Sequence, residues 1–164
     1  MTSRIRPHVV LYQPEIPQNT GNIGRTCVAL GAKLWLVQPL GFRLDTKRLH
    51  RAGLDYWNQL DWSLVPDWPA LERALAAELP GHGGWRPRYW FFSRRGKRSL
   101  YESTFQPDDV LVFGSESRGL PETLLQAAPH RTVAIPMPGP VRSLNLANCV
   151  AVAAYELYRQ TTPR

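Results

Sequence analysis

Cysteine is scarce in this sequence, and the two that occur, Cys27 and Cys149, belong to no CxxC pair and no Cys/His cluster. That spacing argues against a disulfide framework and a structural zinc site, so we interpret both as reduced thiols of the core. The four histidines also share no spacing typical of metal ligands. Metal catalysis and a serine–histidine hydrolase are therefore poorly supported, and we expect no bound metal.

Long apolar runs are also missing. No stretch approaches the ~20 apolar residues of a membrane span, and residues 1–7 lack the apolar core of a signal peptide. We expect no membrane partner and a cytoplasmic location. Neither the G-x-G-x-x-G fingerprint of a dinucleotide fold nor the G-x-x-x-x-G-K-[ST] phosphate loop occurs, so nucleotide binding by these routes is not expected.

Acidic residues are outnumbered by basic ones. The chain of 164 residues has 20 Lys and Arg against 13 Asp and Glu, which gives a formal charge of +7. The excess is clustered in two segments, 43–51 and 86–98. Because a cation placed on a phosphate releases condensed counterions, such clusters favour a polyanionic partner. We predict RNA binding, with a solvated basic face as the alternative.

What is present is an alternation of short apolar strands with helical patterns. The predicted strands are 8–12, 33–37, about 60–65, 88–93, 110–113 and 131–135. The predicted helices are about 20–30, 68–79, 121–127 and 143–159, with a short helical turn near 45–52. This alternation is typical of an α/β fold, a mostly parallel sheet with helices on both faces. We see no linker or repeat, so residues 1–164 are interpreted as one domain.

Several residues predict where helices end. Gly31 is expected in the left-handed conformation after the first helix, and Asp67 is expected to cap the next one ahead of Pro69. Ser143 is predicted to cap the last helix. That helix has a stripe rich in small residues, which suits either packing within the chain or a dimer contact. The stripe consists of Leu144, Ala147, Ala151, Ala154, Tyr155 and Tyr158.

Three polar, glycine-containing segments lie where a predicted strand ends and a helix begins: 14–26, 113–121 and 135–146. Such junctions present free backbone N–H groups at the edge where α/β proteins bind ligands. The sequence therefore predicts a site built from all three. Plainer interpretations stay open: Asn19 or Thr20 caps the first helix, and Glu116 pairs with Arg118.

The same three segments carry a family resemblance. They read PEIPQNTGNIGR over 14–25, FGSESRGLP over 113–121, and IPM over 135–137 followed by RSLNL over 142–146. A fourth match, KRLHRAGLDY, spans 47–56. With these motifs the chain resembles the SPOUT class of RNA methyltransferases, in the compact TrmL-type branch that methylates the ribose 2′-oxygen of the tRNA wobble nucleotide. The similarity covers about residues 8–160.

The resemblance implies a sheet whose C-terminal part forms a deep trefoil knot, which holds S-adenosylmethionine. It also implies a homodimer in which Arg25 of one subunit faces the cofactor of the other. The cofactor-binding residues implied are Phe92, Gly114, Ile135, Met137, Ser143 and Leu144. The catalytic residues implied are Arg25, Asn19, Glu116 and Asn145. Because a guanidinium stays protonated at neutral pH, we expect Arg25 to orient the substrate at least as much as it accepts a proton.

The implied substrate is cytidine or a modified uridine at position 34 of tRNA, with leucine tRNAs as the expected group. The residues expected to bind the anticodon stem-loop are Arg48, Arg51, Arg95, Lys97, Arg118 and Arg142. Alternatives are a related enzyme for another tRNA or rRNA site and a non-catalytic RNA-binding protein. Three residues depart from the family pattern: Ser115, often proline in close relatives, Gly24, often bulkier, and Leu144, often methionine.

Overall fold

The computed structural model describes residues 6–45, 47, 55–79 and 88–163. The strands within these ranges are β1 His8–Tyr12, β2 Lys33–Val37, β3 Trp62–Val65, β4 Tyr89–Phe92, β5 Arg98–Ser99, β6 Val110–Phe113 and β7 Thr132–Ala134. The α-helices are α1 Pro17–Leu30, α2 Trp68–Glu78, α3 Glu122–Ala127 and α4 Leu146–Thr161. Turns of 3-10 helix occur at Asp55–Gln59, Leu100–Glu102 and Pro129–Arg131.

The described strands form one sheet in the order β3-β2-β1-β6-β4-β7-β5. Every pairing between neighbours is parallel, which confirms the predicted α/β class. Because parallel strands end at the same edge, the segments that follow β1, β6 and β7 are brought together there. The trefoil knot stays a prediction.

Both faces of the sheet are covered by helices, so the strands are buried on two sides. Leu34 and Leu36 belong to a core cluster with residues of α1 and α4. Trp35 and Val37 point the other way, into a second cluster with residues of α2 and α3. Burial on both faces explains why these strands are continuous apolar runs rather than alternating ones.

The first helix begins earlier than predicted, at Pro17 rather than near residue 20. Proline suits the first helical position because its fixed φ matches the helix and its missing N–H is not needed there. Asn19 and Thr20 therefore lie inside the helix, and the suggestion that either caps it is wrong. The residue before the helix, Ile16, makes no side-chain capping bond.

The last helix begins later than predicted, at Leu146, and Ser143 does not cap it. The cap is Asn145, whose side-chain oxygen accepts a hydrogen bond from the Ala147 backbone N–H at 2.8 Å. Asparagine is as good a cap as serine, so local preference does not separate the two. The other predicted helix ends are confirmed: Gly31 has φ 66°, and Asp67 accepts from the Ala70 N–H at 2.8 Å.

Four short elements were not predicted: β5 and the 3-10 turns Asp55–Gln59, Leu100–Glu102 and Pro129–Arg131. The first is only two residues long and polar, so it shows no apolar pattern. The predicted turn near 45–52 lies mostly outside the described residues. The residues of the small-residue stripe on α4 differ in burial. Ala147 and Ala154 are buried, whereas Tyr155 and Tyr158 are 51% and 47% exposed.

The two thiols are free but lie in different surroundings. Cys27 is buried in the core, and burial raises its pKa to about 12. Cys149 is only half-buried: it packs against the same core and also lines a cavity, so its predicted place in the core is only partly confirmed. In the described part of the chain, no helix is long and apolar enough to cross a bilayer. The described residues also contain no cluster of three or more His, Cys, Asp or Glu suited to a metal ion.

His8, at the start of β1, gives a prediction about stability and pH. It is 2% exposed, and its Nδ1 accepts a hydrogen bond from Trp35 Nε1 at 3.0 Å. Burial, reinforced by the charges of Arg6 and Lys33, lowers the pKa of His8 from 6.5 to about 4. Below pH 6.5 the unfolded chain therefore binds a proton that the folded chain excludes. The contribution of neutral His8 to the free energy of unfolding is complete above pH 6.5. It is lost as the pH falls to 4, by up to about 3 kcal/mol.

Urea unfolding between pH 7 and pH 4 measures this loss. His8→Gln is expected to flatten the decline, whereas the same change at exposed His130 is expected to leave it unchanged. Because carboxylates also titrate in this range, the difference between the two variants is the informative quantity. Parallel curves for both variants would contradict the prediction.

Candidate active site

A cavity of about 630 Å³ opens at the carboxyl edge of the sheet. Its walls come from the start of α1 and from the segments that follow β4, β6 and β7. All of the residues expected to bind the cofactor line it: Phe92, Gly114, Ile135, Met137, Ser143 and Leu144. Three of the expected catalytic residues line it too: Asn19, Glu116 and Asn145.

Glu116 connects the second segment to the start of α1. Its carboxylate accepts hydrogen bonds from the backbone N–H groups of Glu15 at 2.8 Å and Ile16 at 3.0 Å. It also accepts from Asn19 Nδ2 at 3.2 Å. No ion pair joins Glu116 to Arg118 among the described residues, so the simple pairing suggested as an alternative is wrong. A carboxylate at the start of a helix is also favoured by the helix dipole.

Asn145 extends this network to the third segment. Its Nδ2 donates to Asn19 Oδ1 at 3.0 Å, and its Oδ1 caps α4. Asn19 therefore donates to Glu116 and accepts from Asn145. One chain of hydrogen bonds joins the three motif segments across the wall of the cavity, and each side-chain amide is fixed in orientation by its partners.

Glu15 connects the same two segments in the opposite direction. Its carboxylate accepts from the Ser117 backbone N–H at 3.2 Å and from Ser117 Oγ at 2.6 Å. The segment before α1 thus sends a carboxylate to the loop after β6, and that loop sends one back. We call this pair the crossed carboxylates; it holds the two segments in register at the mouth of the cavity.

Glycine is required where the loop after β6 folds back on itself. A Cβ at Gly114 would lie 2.0 Å from the carbonyl carbon of Gly119 and 2.3 Å from the N of Leu120. The fold-back is closed by the Gly119 N–H, which donates to the Ser115 carbonyl at 2.9 Å. A Cβ at Gly96 would similarly lie 2.4 Å from the carbonyl carbon of Val133. Backbone therefore packs directly on backbone around the cavity.

Arg25 lies apart from the other expected catalytic residues. It is exposed on α1, and it is not among the residues that line the cavity of its own chain. Its guanidinium carbon lies 5.4 Å from the centre of the Tyr56 ring. The structure thus brings together Asn19, Glu116 and Asn145, and leaves Arg25 on a separate surface.

Basic side chains surround the mouth of the cavity. Arg95, Arg118 and Arg142 line it as expected, and Arg94 joins them. Arg94 Nη1 donates to the Arg142 carbonyl at 2.8 Å, which ties the loop after β4 to the loop after β7. Arg95 pairs with Glu122 at 2.5 Å, both side chains being exposed. Such a pair is weak in water and leaves Arg95 available to a phosphate.

The other residues predicted to bind RNA are Lys97, Arg48 and Arg51. Lys97 is exposed but does not line the cavity, and Arg48 and Arg51 lie outside the described residues. The aromatic residues of β4 are buried: Trp90 is 3% and Phe91 is 5% exposed. Both belong to the core, so stacking of these two rings on bases is excluded.

Fold and site define an α/β protein with a glycine-lined, partly apolar cavity at the carboxyl edge of a parallel sheet. The model of the SpoU rRNA Methylase family matches residues 6–155, and the chain belongs to this family. A curated relative, the tRNA (cytidine(34)-2′-O)-methyltransferase of Burkholderia ambifaria, is 44% identical over 154 residues, 93% of this chain and 94% of the relative. The protein of the same name from Aeromonas hydrophila is 44% identical over 153 residues, 93% and 92% of the two chains.

The chain is also similar to solved structures of RNA methyltransferases. One that concerns the 2-OH methylation of C/U34 on tRNA is 55% identical, with a TM-score of 0.83 over 94% of this chain and 95% of that chain. The SpoU methyltransferase AviRb from Streptomyces viridochromogenes, in complex with AdoMet, is 26% identical, with a TM-score of 0.79 over 95% of this chain and 58% of that chain. The family resemblance inferred from the motifs is confirmed.

Proposed function

We propose that this protein is a single-domain, S-adenosylmethionine-dependent methyltransferase that modifies the ribose 2′-oxygen of the wobble nucleotide, position 34, of tRNA. The observation that carries the proposal is the hydrogen-bonded chain from Glu116 through Asn19 to Asn145, which assembles the three motif segments around one cavity. Relatives of similar length are named for this reaction. Leucine tRNAs are the proposed substrates, and the cytoplasm is the proposed location.

The cavity suits S-adenosylmethionine, which when bound supplies an electrophilic methyl group for transfer to the 2′-oxygen. Its volume of about 630 Å³ falls within the usual range of ligand pockets, roughly 300 to 1,000 Å³. Phe92, Leu120 and Ile135 give it apolar walls. Gly114 and Gly96 allow the backbone to approach closely where a Cβ would block it. The residues present therefore fit a ligand held largely by backbone groups.

We assign the remaining chemistry to positioning by the side chains. Arg25 orients the 2′-hydroxyl and the neighbouring phosphate through its planar set of N–H donors. Asn19, Glu116 and Asn145 hold the three segments, and thereby the ligand and ribose, in one geometry. Such alignment supplies up to roughly 7 to 11 kcal/mol of the barrier in well-oriented reactions. Arg118 and Arg142 meet the RNA backbone at the mouth of the cavity.

The proposed enzyme is a homodimer with sites shared between subunits. Arg25 lies outside the cavity of its own chain, so in this scheme it serves the cavity of the partner. An apolar strip is exposed on α4: Val152 is 37%, Tyr155 51% and Tyr158 47% exposed. Helices α1 and α4 pack on each other, and the strip therefore offers the partner an apolar surface on the helix that neighbours α1.

A tRNA with 2′-deoxyribose at position 34 alone tests the proposed target. The purified protein with labelled S-adenosylmethionine is expected to methylate an unmodified leucine tRNA and to leave the 2′-deoxy version unlabelled, because the accepting oxygen is gone. Equal labelling of both tRNAs would show that the methyl group is transferred to another nucleotide. Tight tRNA binding without any methyl transfer would favour the non-catalytic alternative.

A further inference from the structure

The 3-10 turn Asp55–Gln59 packs directly on α1, beneath the residue proposed to act on the substrate. Trp57 of this turn is 4% exposed. A Cβ at Gly24 would lie 2.9 Å from Cζ3 of Trp57 and 3.1 Å from Cδ2 of Leu60. Only glycine leaves room for this contact without movement of the turn. The residue next to Arg25 is thus small because an indole occupies the space.

The same turn places Tyr56 against Arg25. The guanidinium carbon lies 5.4 Å from the ring centre, within the range of a cation–π contact. The Tyr56 hydroxyl donates a hydrogen bond to the carbonyl of Gly21, one helical turn before Arg25. Burial raises the pKa of Tyr56, and the charge of Arg25 opposes that rise only in part. The hydroxyl therefore stays protonated and remains a donor at neutral pH.

We propose that Tyr56 is a positioning residue for methyl transfer, which holds the Arg25 guanidinium in the orientation that meets the ribose and phosphate. This inference rests on the proposed function. An exposed arginine otherwise samples many rotamers, and restricting them before the substrate arrives removes an entropy cost from the reaction. A cation–π contact uses the charge of the guanidinium, and leaves its hydrogen-bond donors for the substrate.

Tyr56→Leu removes the ring and Tyr56→Phe retains it. We expect Tyr56→Leu to lower the single-turnover methylation rate, at saturating tRNA and S-adenosylmethionine, by about 5- to 30-fold. Tyr56→Phe is expected to lose less, because the ring contact survives. The Kd for S-adenosylmethionine is expected to stay unchanged in both, since the proposed role of Tyr56 and Arg25 concerns the ribose and phosphate and not the cofactor. Tyr101→Leu, at a tyrosine that is 64% exposed on another turn, is the matched control and should keep the full rate.

A double-mutant cycle separates positioning from general destabilisation. If Tyr56 acts through Arg25, then adding Tyr56→Leu to Arg25→Ala lowers the residual rate no further. Independent, multiplicative losses would overturn the inference, as would a full rate in Tyr56→Leu alone. If Tyr56→Leu does not fold, as judged by circular dichroism and Tm, the same cycle with Tyr56→Met, which also lacks the ring, decides. A wild-type protein that transfers no methyl group to tRNA would instead refute the proposed function.

Discussion

Gly114→Ala is expected to abolish S-adenosylmethionine binding while leaving most of the sheet intact. The added Cβ would lie 2.0 Å from the carbonyl carbon of Gly119, where no side-chain rotation relieves the clash. The loop after β6 must therefore open, and the backbone that forms this wall of the cavity leaves its place. Overpacking of this kind typically costs about 1 to 3 kcal/mol in stability, less than most domains possess. Isothermal titration with S-adenosylmethionine measures the loss, and circular dichroism checks the fold.

Gly139→Ala is the matched control, because it is the same substitution in another loop at this edge of the sheet. A Cβ at Gly139 meets no atom within 4 Å, so we expect ligand affinity and Tm close to wild type. If Gly114→Ala bound S-adenosylmethionine as tightly as Gly139→Ala does, the cavity would not be the cofactor site.

Arg25→Ala is expected to slow methyl transfer by about 100- to 1,000-fold, the usual effect of removing a donor that stabilises a transition state. Arg25→Lys should recover little, because an ammonium group lacks the planar pair of donors that aligns a phosphate with a hydroxyl. The affinity for S-adenosylmethionine should not change, since the role proposed for Arg25 is to orient the ribose and the phosphate rather than to hold the cofactor. Single-turnover rates and ligand titrations on the same preparations separate the two effects.

Full single-turnover activity of Arg25→Lys at neutral pH would refute both proposed roles of this arginine. A large loss of cofactor affinity in Arg25→Ala would show that Arg25 contacts the cofactor and is not confined to the ribose and phosphate.

Subunit mixing combines these two substitutions into a test of the shared site. Co-expression of Arg25→Ala and Gly114→Ala chains gives hybrid dimers in which one cavity is intact and receives Arg25 from the other chain. With random pairing, about a quarter of the wild-type activity should return. If each chain used its own arginine, every chain in the mixture would be defective and no activity would return.

The strands of the central sheet were predictable from sequence because each is a short apolar run with polar neighbours. The boundaries of β1, β2 and β6 agree with the prediction to the residue. The start of α1 was not predictable in the same way. The N–H groups just before this helix are bonded by Glu116, which is 100 residues away from Ile16 in the chain. The local conformational preferences of residues 14 to 20 do not indicate a hydrogen-bond partner so distant in the chain.

The candidate site was also only partly predictable from the sequence. The motifs identified Asn19, Glu116 and Asn145 as members of one site, but they did not indicate which hydrogen bonds join these side chains. Asn19 and Asn145 meet across 126 positions of sequence, and only the register of the parallel sheet brings them together. Glu15 and Ser117 were inside the recognised motifs, yet nothing in their identity indicates that they bond to each other. The contact of Tyr56 with Arg25 likewise depends on tertiary packing.

The crossed carboxylates have a consequence for communication between the two halves of the proposed dimer. Glu15 and Glu116 fasten the loop after β6, which lines the cavity, to the start of the helix that carries Arg25. In the proposed dimer, that arginine serves the cavity of the neighbouring subunit. If ligand entry shifts that loop, the shift reaches the arginine that serves the opposite cavity. For the proposed dimer we therefore expect a titration that departs from the curve of two independent sites.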